Sequence, residues 1–221
     1  MKMKFLLSTL ALLTLTFVSC KKDDKNELDK PQDGILEYKN LPVAGNDWVY
    51  FSFEKNGITT ENEEWDIAFR QYDIKTKSGV INTRERNFNK VTEAPLEGYI
   101  VDSERYTFAG RSLVKNVSSS VISMGYSESF WQFITENGII NGIPEGEREA
   151  AKTSLVHNNG WQTFSYSQGT KIPVFQNNGW IYIIKMANGN FAKIHLSRFT
   201  NDKNAPFFIT FRYKISKEGK F

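Results

Sequence analysis

Cysteine is almost missing from this chain: Cys20 is the only one, so no disulfide can form within it and no thiolate cluster can hold a metal. Histidine is nearly as scarce. His157 and His195 cannot make a three-histidine zinc site, and neither sits in an HExxH-type spacing. A glycine-rich phosphate loop and a G-x-S-x-G elbow are both lacking. Paired acids such as Glu63-Glu64 are adjacent, and adjacent strand residues point to opposite faces. With no motif nominating a reaction, the chain reads as a binder rather than an enzyme. Charge of one sign is missing too. There are 28 basic and 25 acidic side chains, and two of the lysines fall in the first 19 residues, so the remainder is one positive charge from neutral. The densest basic piece, "TRERNFNK" at 83–90, is diluted by Glu85 and two asparagines. Nucleic acid is therefore not an expected partner, because phosphate neutralisation needs a basic patch.

Long apolar runs are confined to the start. Lys2 and Lys4 precede the apolar stretch Phe5–Val18, and Ser19 is small. This is the pattern of a secretory signal over residues 1–19, shorter than the roughly 20 residues that span a bilayer. Phe17-Val18-Ser19-Cys20 resembles a bacterial lipobox, in which the cysteine sulfur is acylated and becomes the mature N-terminus. Acyl chains at ~0.8 kcal/mol per buried methylene make a lasting anchor. Lys22-Asp23-Asp24 resembles the tag that sends Bacteroidetes lipoproteins to the outer face of the outer membrane; a solvated tether is the alternative reading. Residues 20–36, with Pro31 and Gly34 and no apolar periodicity, read as a lipidated cysteine on a flexible stalk. Residues 37–221 suit one domain.

The body predicts a mainly β domain, a single antiparallel sheet with one or two short helices. "FFITFRYKI" at 207–215 alternates, with Phe207, Ile209, Phe211, Tyr213 and Ile215 to one face and Thr210, Arg212 and Lys214 to the other, as in a sheet wet on one side. In "WDIAFRQYDIK" at 65–75 the same alternation puts Trp65, Ile67 and Phe69 together, with Asp66 and Arg70 opposite. "WIYIIKMANGNFAKIHL" at 180–196 predicts a hairpin with a tight I′ turn at Asn188-Gly189. Counting outward pairs Met186 with Phe191, Ile184 with Lys193 and Tyr182 with His195. The other face pairs Ile183 with Ile194 and Ile181 with Leu196 and is the expected core, so His195 lies on the more polar face. Ser127 is placed to cap a helix over "ESFWQFITEN", with Phe130, Phe133 and Ile134 as its apolar stripe and Asn137-Gly138 as its end. "PEGEREAAK" at 144–152 predicts a shorter polar helix. Fourteen per cent of residues are aromatic, which fits either a β-rich core or a flat apolar ligand held between sheets or under loops.

Five segments together resemble the HmuY family, haem-binding surface lipoproteins of Bacteroidetes. They are "WDIAFRQYDIKTKSG" at 65–79, "APLEGYIVD" at 94–102, "NGWQTFSYSQG" at 159–169, "ANGNFAKIHL" at 187–196 and "ITFRYKI" at 209–215, in the family's order and spacing. The resemblance implies a mostly β fold whose projecting loops clamp one haem from both faces, without catalysis. It further implies two axial iron ligands, histidines in the founding type and methionines in some relatives, a choice that tunes redox potential. The family's second ligand follows Trp-x-x-Phe-Ser, which here is Tyr166. Its first ligand falls in a loop matching "SSSVISMGYSES", where Met124 is the side chain with a soft electron pair. In so serine-rich a loop Met124 has less core to fill than most methionines. His157, nine residues before Tyr166, is the other candidate for the second face, and Met186 a more distant one. The implied function is capture of haem at the cell surface by a lipid-anchored outer-membrane protein, and its transfer to an outer-membrane haem receptor. The alternative is a non-haem interaction module that uses the same frame to bind a glycan, peptide or partner lipoprotein.

Overall fold

The computed structural model describes residues 34–109, 112–167 and 172–221. The leader, Cys20 and the stalk up to residue 33 lie outside the described residues. Fourteen strands and two α-helices make up this part.

Two sheets enclose the main core. The first joins, in spatial order, β1 (Leu36–Pro42), β14 (Pro206–Ser216), β13 (Phe191–Thr200), β12 (Tyr182–Lys185) and β6 (Val80–Asn82). The second runs β3 (Gly57–Thr59), β2 (Val49–Ser52), β4 (Ile67–Arg70), β5 (Asp73–Thr76). Ile209, Phe211 and Tyr213 of β14 meet Phe51, Ile67, Phe69 and Ile74 of the second sheet in one apolar cluster. The alternation in the last strand thus reads correctly. Trp65 does not follow Ile67 inward. It lies just before β4 and packs instead with Tyr50 and Ala68 on the opposite face, while Asp66 turns inward and is buried.

The β12–β13 hairpin differs from expectation by one residue. Its pairs are Tyr182 with Ile194, Ile183 with Lys193, Ile184 with Ala192 and Lys185 with Phe191. The cause is the turn. Met186 N–H donates to Asn190 O at 2.8 Å and Gly189 N–H to Met186 O at 3.0 Å, with Gly189 at φ +86°. This is a three-residue loop rather than a two-residue one, and a slip of one exchanges the faces. Tyr182, Ile184, Ala192, Ile194 and Leu196 enter the main core. Ile181 and Ile183 form a smaller cluster with Phe88 and Val91 on the outer face.

The rest of the described chain forms a second lobe. Strands β7 (Ser103–Ala109) and β8 (Ser112–Ser118) pair as a hairpin. A three-stranded sheet orders β11 (Pro173–Asn177), β10 (Gln162–Tyr166) and β9 (Gly125–Tyr126), with β9 parallel to β10. Four sheets, one containing a parallel pair, therefore replace the single antiparallel sheet expected, within the same mainly β class. Helix α1 (Glu128–Glu136) begins where Ser127 Oγ accepts from Phe130 N–H and ends at Asn137, as its sequence predicts. A short 3₁₀ turn at Glu145–Glu147 leads into α2 (Arg148–Leu155). Phe130, Ile134, Ala151 and Leu155 seat both helices on the second cluster. Among the described residues no helix is long and apolar enough to cross a membrane.

Candidate functional site

The serine-rich loop after β8 is stitched along β5. Ser119 N–H donates to Ile74 O at 2.8 Å. Ser123 Oγ donates to Ile74 O and accepts from Ile74 N–H, both at 2.9 Å. Met124 N–H donates to Tyr72 O at 3.1 Å. So held, Met124 turns inward and is only 2% exposed. The expectation of a loop methionine with little core to fill gives way, because Met124 packs in the second cluster with Tyr106, Tyr126, Phe130 and Ile134.

Tyr166 packs against the same cluster from the end of β10. Its ring centroid lies 4.6 Å from Phe133 and 6.0 Å from Phe130, nearly parallel to the latter. Phe130 in turn stacks on Tyr126 at 4.6 Å and meets Phe164 edge-on at 5.0 Å. Helix α1 thus lays its apolar stripe as a lid of rings over Met124, Phe164 and Tyr166.

His157 stands elsewhere. Its Nε2 is 3.2 Å from Arg105 Nη2. A guanidinium only donates, so the imidazole accepts there and carries its proton on Nδ1. That Nδ1 is buried without a hydrogen-bond partner. Burial, then the nearby Arg105 charge, push its pKa down to about 4. Arg105 also donates to the carbonyls of Ser154 (2.5 Å) and Ser119 (3.5 Å). His157 and Arg105 line a polar cavity of about 660 Å³ beside β7, β8 and α2, with Tyr106, Lys115, Glu147 and Ser154. At its rim Glu147 accepts from Tyr106 Oη and pairs with Lys115, each at 2.6 Å.

The structure therefore brings Met124 and Tyr166 into one cluster and leaves His157 on a separate cavity. Met186 lies in the main core, and His195 is half-buried on β13 opposite Arg212. Among the described residues, Met124 and Tyr166 line neither the 660 Å³ cavity nor one of 470 Å³ beside Phe175, nor one of 120 Å³ beside Asp73. Sequence reasoning missed Arg105, whose partners are 14 to 52 residues away. It also missed a 470 Å³ aromatic cavity lined by Tyr72, Gln162, Phe175, Arg198, Phe199 and Phe207 among others.

A family model described as HmuY protein matches residues 44–213. Among solved structures, a protein from Bacteroides vulgatus described as HmuY-like and haem-binding aligns with a TM-score of 0.54 at 17% identity, over 85% of this chain and 94% of its own. Apo PinO from Porphyromonas gingivitis gives 0.53 at 17% identity, over 83% and 98%. A protein from Bacteroides fragilis described as a lipoprotein gives 0.53 at 14%, over 84% and 93%. No curated protein matches the chain. At these identities the likeness is one of fold.

Proposed function

The chain belongs to the HmuY family, and from that premise we propose that it captures haem at the cell surface, lipid-anchored through Cys20, and passes it to an outer-membrane receptor. No catalysis is involved.

One observation supports the reading: Met124 and Tyr166, where the resemblance puts the family's ligands (His157 being the alternative to Tyr166), share a single aromatic cluster under α1. Met124 is packed in that cluster with no cavity beside it among the described residues, so a haem would have to part α1 from the cluster before the thioether could reach its iron. Ring–ring contacts beyond simple burial are worth about 0.5–1.5 kcal/mol each, so lifting α1 exchanges a few modest contacts for those of a porphyrin. The closed form lowers the apparent affinity by the fraction of molecules that are open. With haem bound, the Met124 thioether would be the soft donor to the iron. Tyr166 would hold the other face, by stacking on the ring or as an oxygen donor. His157 is the weaker candidate, since it must break its bond to Arg105 and leave its seat against Gly125 before it can turn toward the cluster.

The test is titration of ferric haem into the chain lacking residues 1–20. A saturable Soret shift is expected, and its absence in both oxidation states overturns the proposal. The anchor is checked separately, by whether Cys20→Ser moves the protein from the membrane fraction to the soluble one.

A further inference from the structure

The aromatic cavity of about 470 Å³ shares no lining residue with the Arg105 cavity; it adjoins the Met124 cluster through Tyr72 and through Phe175, which meets Phe164 at 5.0 Å. Tyr72 and Phe175 stack at 5.8 Å, and Tyr72 also packs on Phe199 and Phe207 at 5.2 and 5.5 Å. Phe175 is 43% exposed, a large apolar ring left at the mouth. Phe207 is held at φ +66°, a backbone region unfavourable for a bulky residue and commonest where function requires it.

Gln162, Arg198 and Thr200 interrupt these walls with polar groups, and the first two are placed for recognition. Gln162 is only 6% exposed, yet its amide oxygen is buried with no hydrogen-bond partner. Buried polar groups are nearly always paired, and nothing pins this amide, so either of its ends can turn to a ligand. At the rim Arg198 donates from one nitrogen, Nη2, to Asp202 Oδ1 at 3.0 Å. Asp202 is also held by Asn40, which leaves the remaining Arg198 donors for a second anion.

We propose that this cavity is a second binding site, for a planar bicyclic aromatic carboxylate with a hydrogen-bonding ring edge. The rings lie among Tyr72, Phe175, Phe199 and Phe207, the ring edge bonds to Gln162, and the carboxylate meets Arg198. The volume is within the range of small-molecule sites, and the rule of aromatic walls with a few placed polar groups is met. The proposal does not depend on haem capture.

Calorimetric titration of the haem-free chain with three probes tests it: indole-3-acetate, indole, and naphthalene-2-acetate, which lacks the ring N–H. Saturable binding is expected, with indole-3-acetate tightest and the other two weaker by about 2–10-fold, one hydrogen bond's worth. Gln162→Leu should abolish the preference over naphthalene-2-acetate, Arg198→Ala the preference over indole, and Phe175→Ala should weaken all three. Removing the orphan oxygen costs the fold little, so Gln162→Leu should melt at or above the wild-type temperature. Ferric haem should titrate Gln162→Leu as it does wild type, which separates this site from the clamp. No saturation by any probe at millimolar concentration, or preferences unchanged in the variants, overturns the proposal.

Discussion

Arg105, itself only 6% exposed, donates a hydrogen bond to His157 Nε2 at 3.2 Å. The pair fixes the imidazole as neutral and gives the protein a pH-dependent stability. Burial and the Arg105 charge hold the His157 pKa at about 4, below its ordinary 6.5. The unfolded chain thus takes up this proton at a higher pH than the native one. Stability from His157 is complete above about pH 6.5 and is lost as pH falls toward 4, by about 2–3 kcal/mol. Asp102, near Arg105, acts with the opposite sign. Burial raises its carboxyl to about 6, so it adds stability as pH falls from there toward its ordinary value. Comparing wild type with His157→Gln isolates the histidine. Urea midpoints measured from pH 7 to 4.5 should fall more steeply for wild type, and parallel curves contradict the assignment.

Glycine at positions 125 and 160 is a packing requirement. A β-carbon on Gly160 would overlap the carbonyl oxygen of Ser123, and one on Gly125 that of His157. Segments 123–126 and 156–160 therefore lie backbone against backbone, where Tyr126 bridges both Val156 and Phe164. Gly160→Ala must push these segments apart. A loss of about 2–3 kcal/mol is expected from the overpacking, which is roughly 4–12 °C of melting temperature for a chain this size. Thermal unfolding followed by circular dichroism measures it.

The parts of this fold that local chemistry decides are legible in the sequence. Ser127 and Asn137 mark the ends of α1 because a cap is chosen by its own neighbours within a turn. The β14 alternation reads correctly for Ile209, Phe211 and Tyr213 because Arg212 and Lys214 opposite them reach water, although Thr210 on that face is buried too. Strand β12 defeats the same reasoning. Tyr182 and Ile184 are buried on one face and Ile181 and Ile183 on the other, so its composition carries no sign of which face the main core takes. Met124 is similar: the serines around it look like loop filler until Ser123 is seen bonded to Ile74, 49 residues away. Partners that distant leave no periodic trace.

Met124 is buried whether or not it binds iron, so alanine confounds two effects. Met124→Ala should cost about 2–5 kcal/mol through the cavity it opens. Met124→Leu conserves volume and should cost under about 1.5 kcal/mol, yet it removes the only thioether in the cluster. If Met124 ligates, the leucine variant binds haem with an altered Soret maximum and a shifted reduction potential, while His195→Ala leaves the spectrum as in wild type. Identical spectra for Met124→Leu and wild type exclude the thioether.

Asp66 ties three separate strand connections together. Oδ2 accepts from Phe53 N–H at 2.9 Å and Oδ1 from Ala187 N–H at 3.0 Å, with the side chain 1% exposed. Burial raises its pKa, opposed by those two hydrogen bonds. It is the residue that spoils a simple strand reading of "WDIAF", because an acid is expected to face water. A carboxylate can receive both amides at once and an asparagine cannot, since one of its ends is itself a donor and would face an N–H. Asp66→Asn should therefore lose one charge-assisted bond and strand one buried amide, about 2–3 kcal/mol in all. Amide hydrogen exchange at Phe53 and Ala187 is the local measurement. Whichever amide is stranded should exchange faster than global unfolding permits, while the amides of the β7–β8 hairpin, which pairs only within itself, keep pace with stability alone. Equal acceleration everywhere would mean that Asp66 acts only through overall stability and does not hold the β12–β13 turn in place.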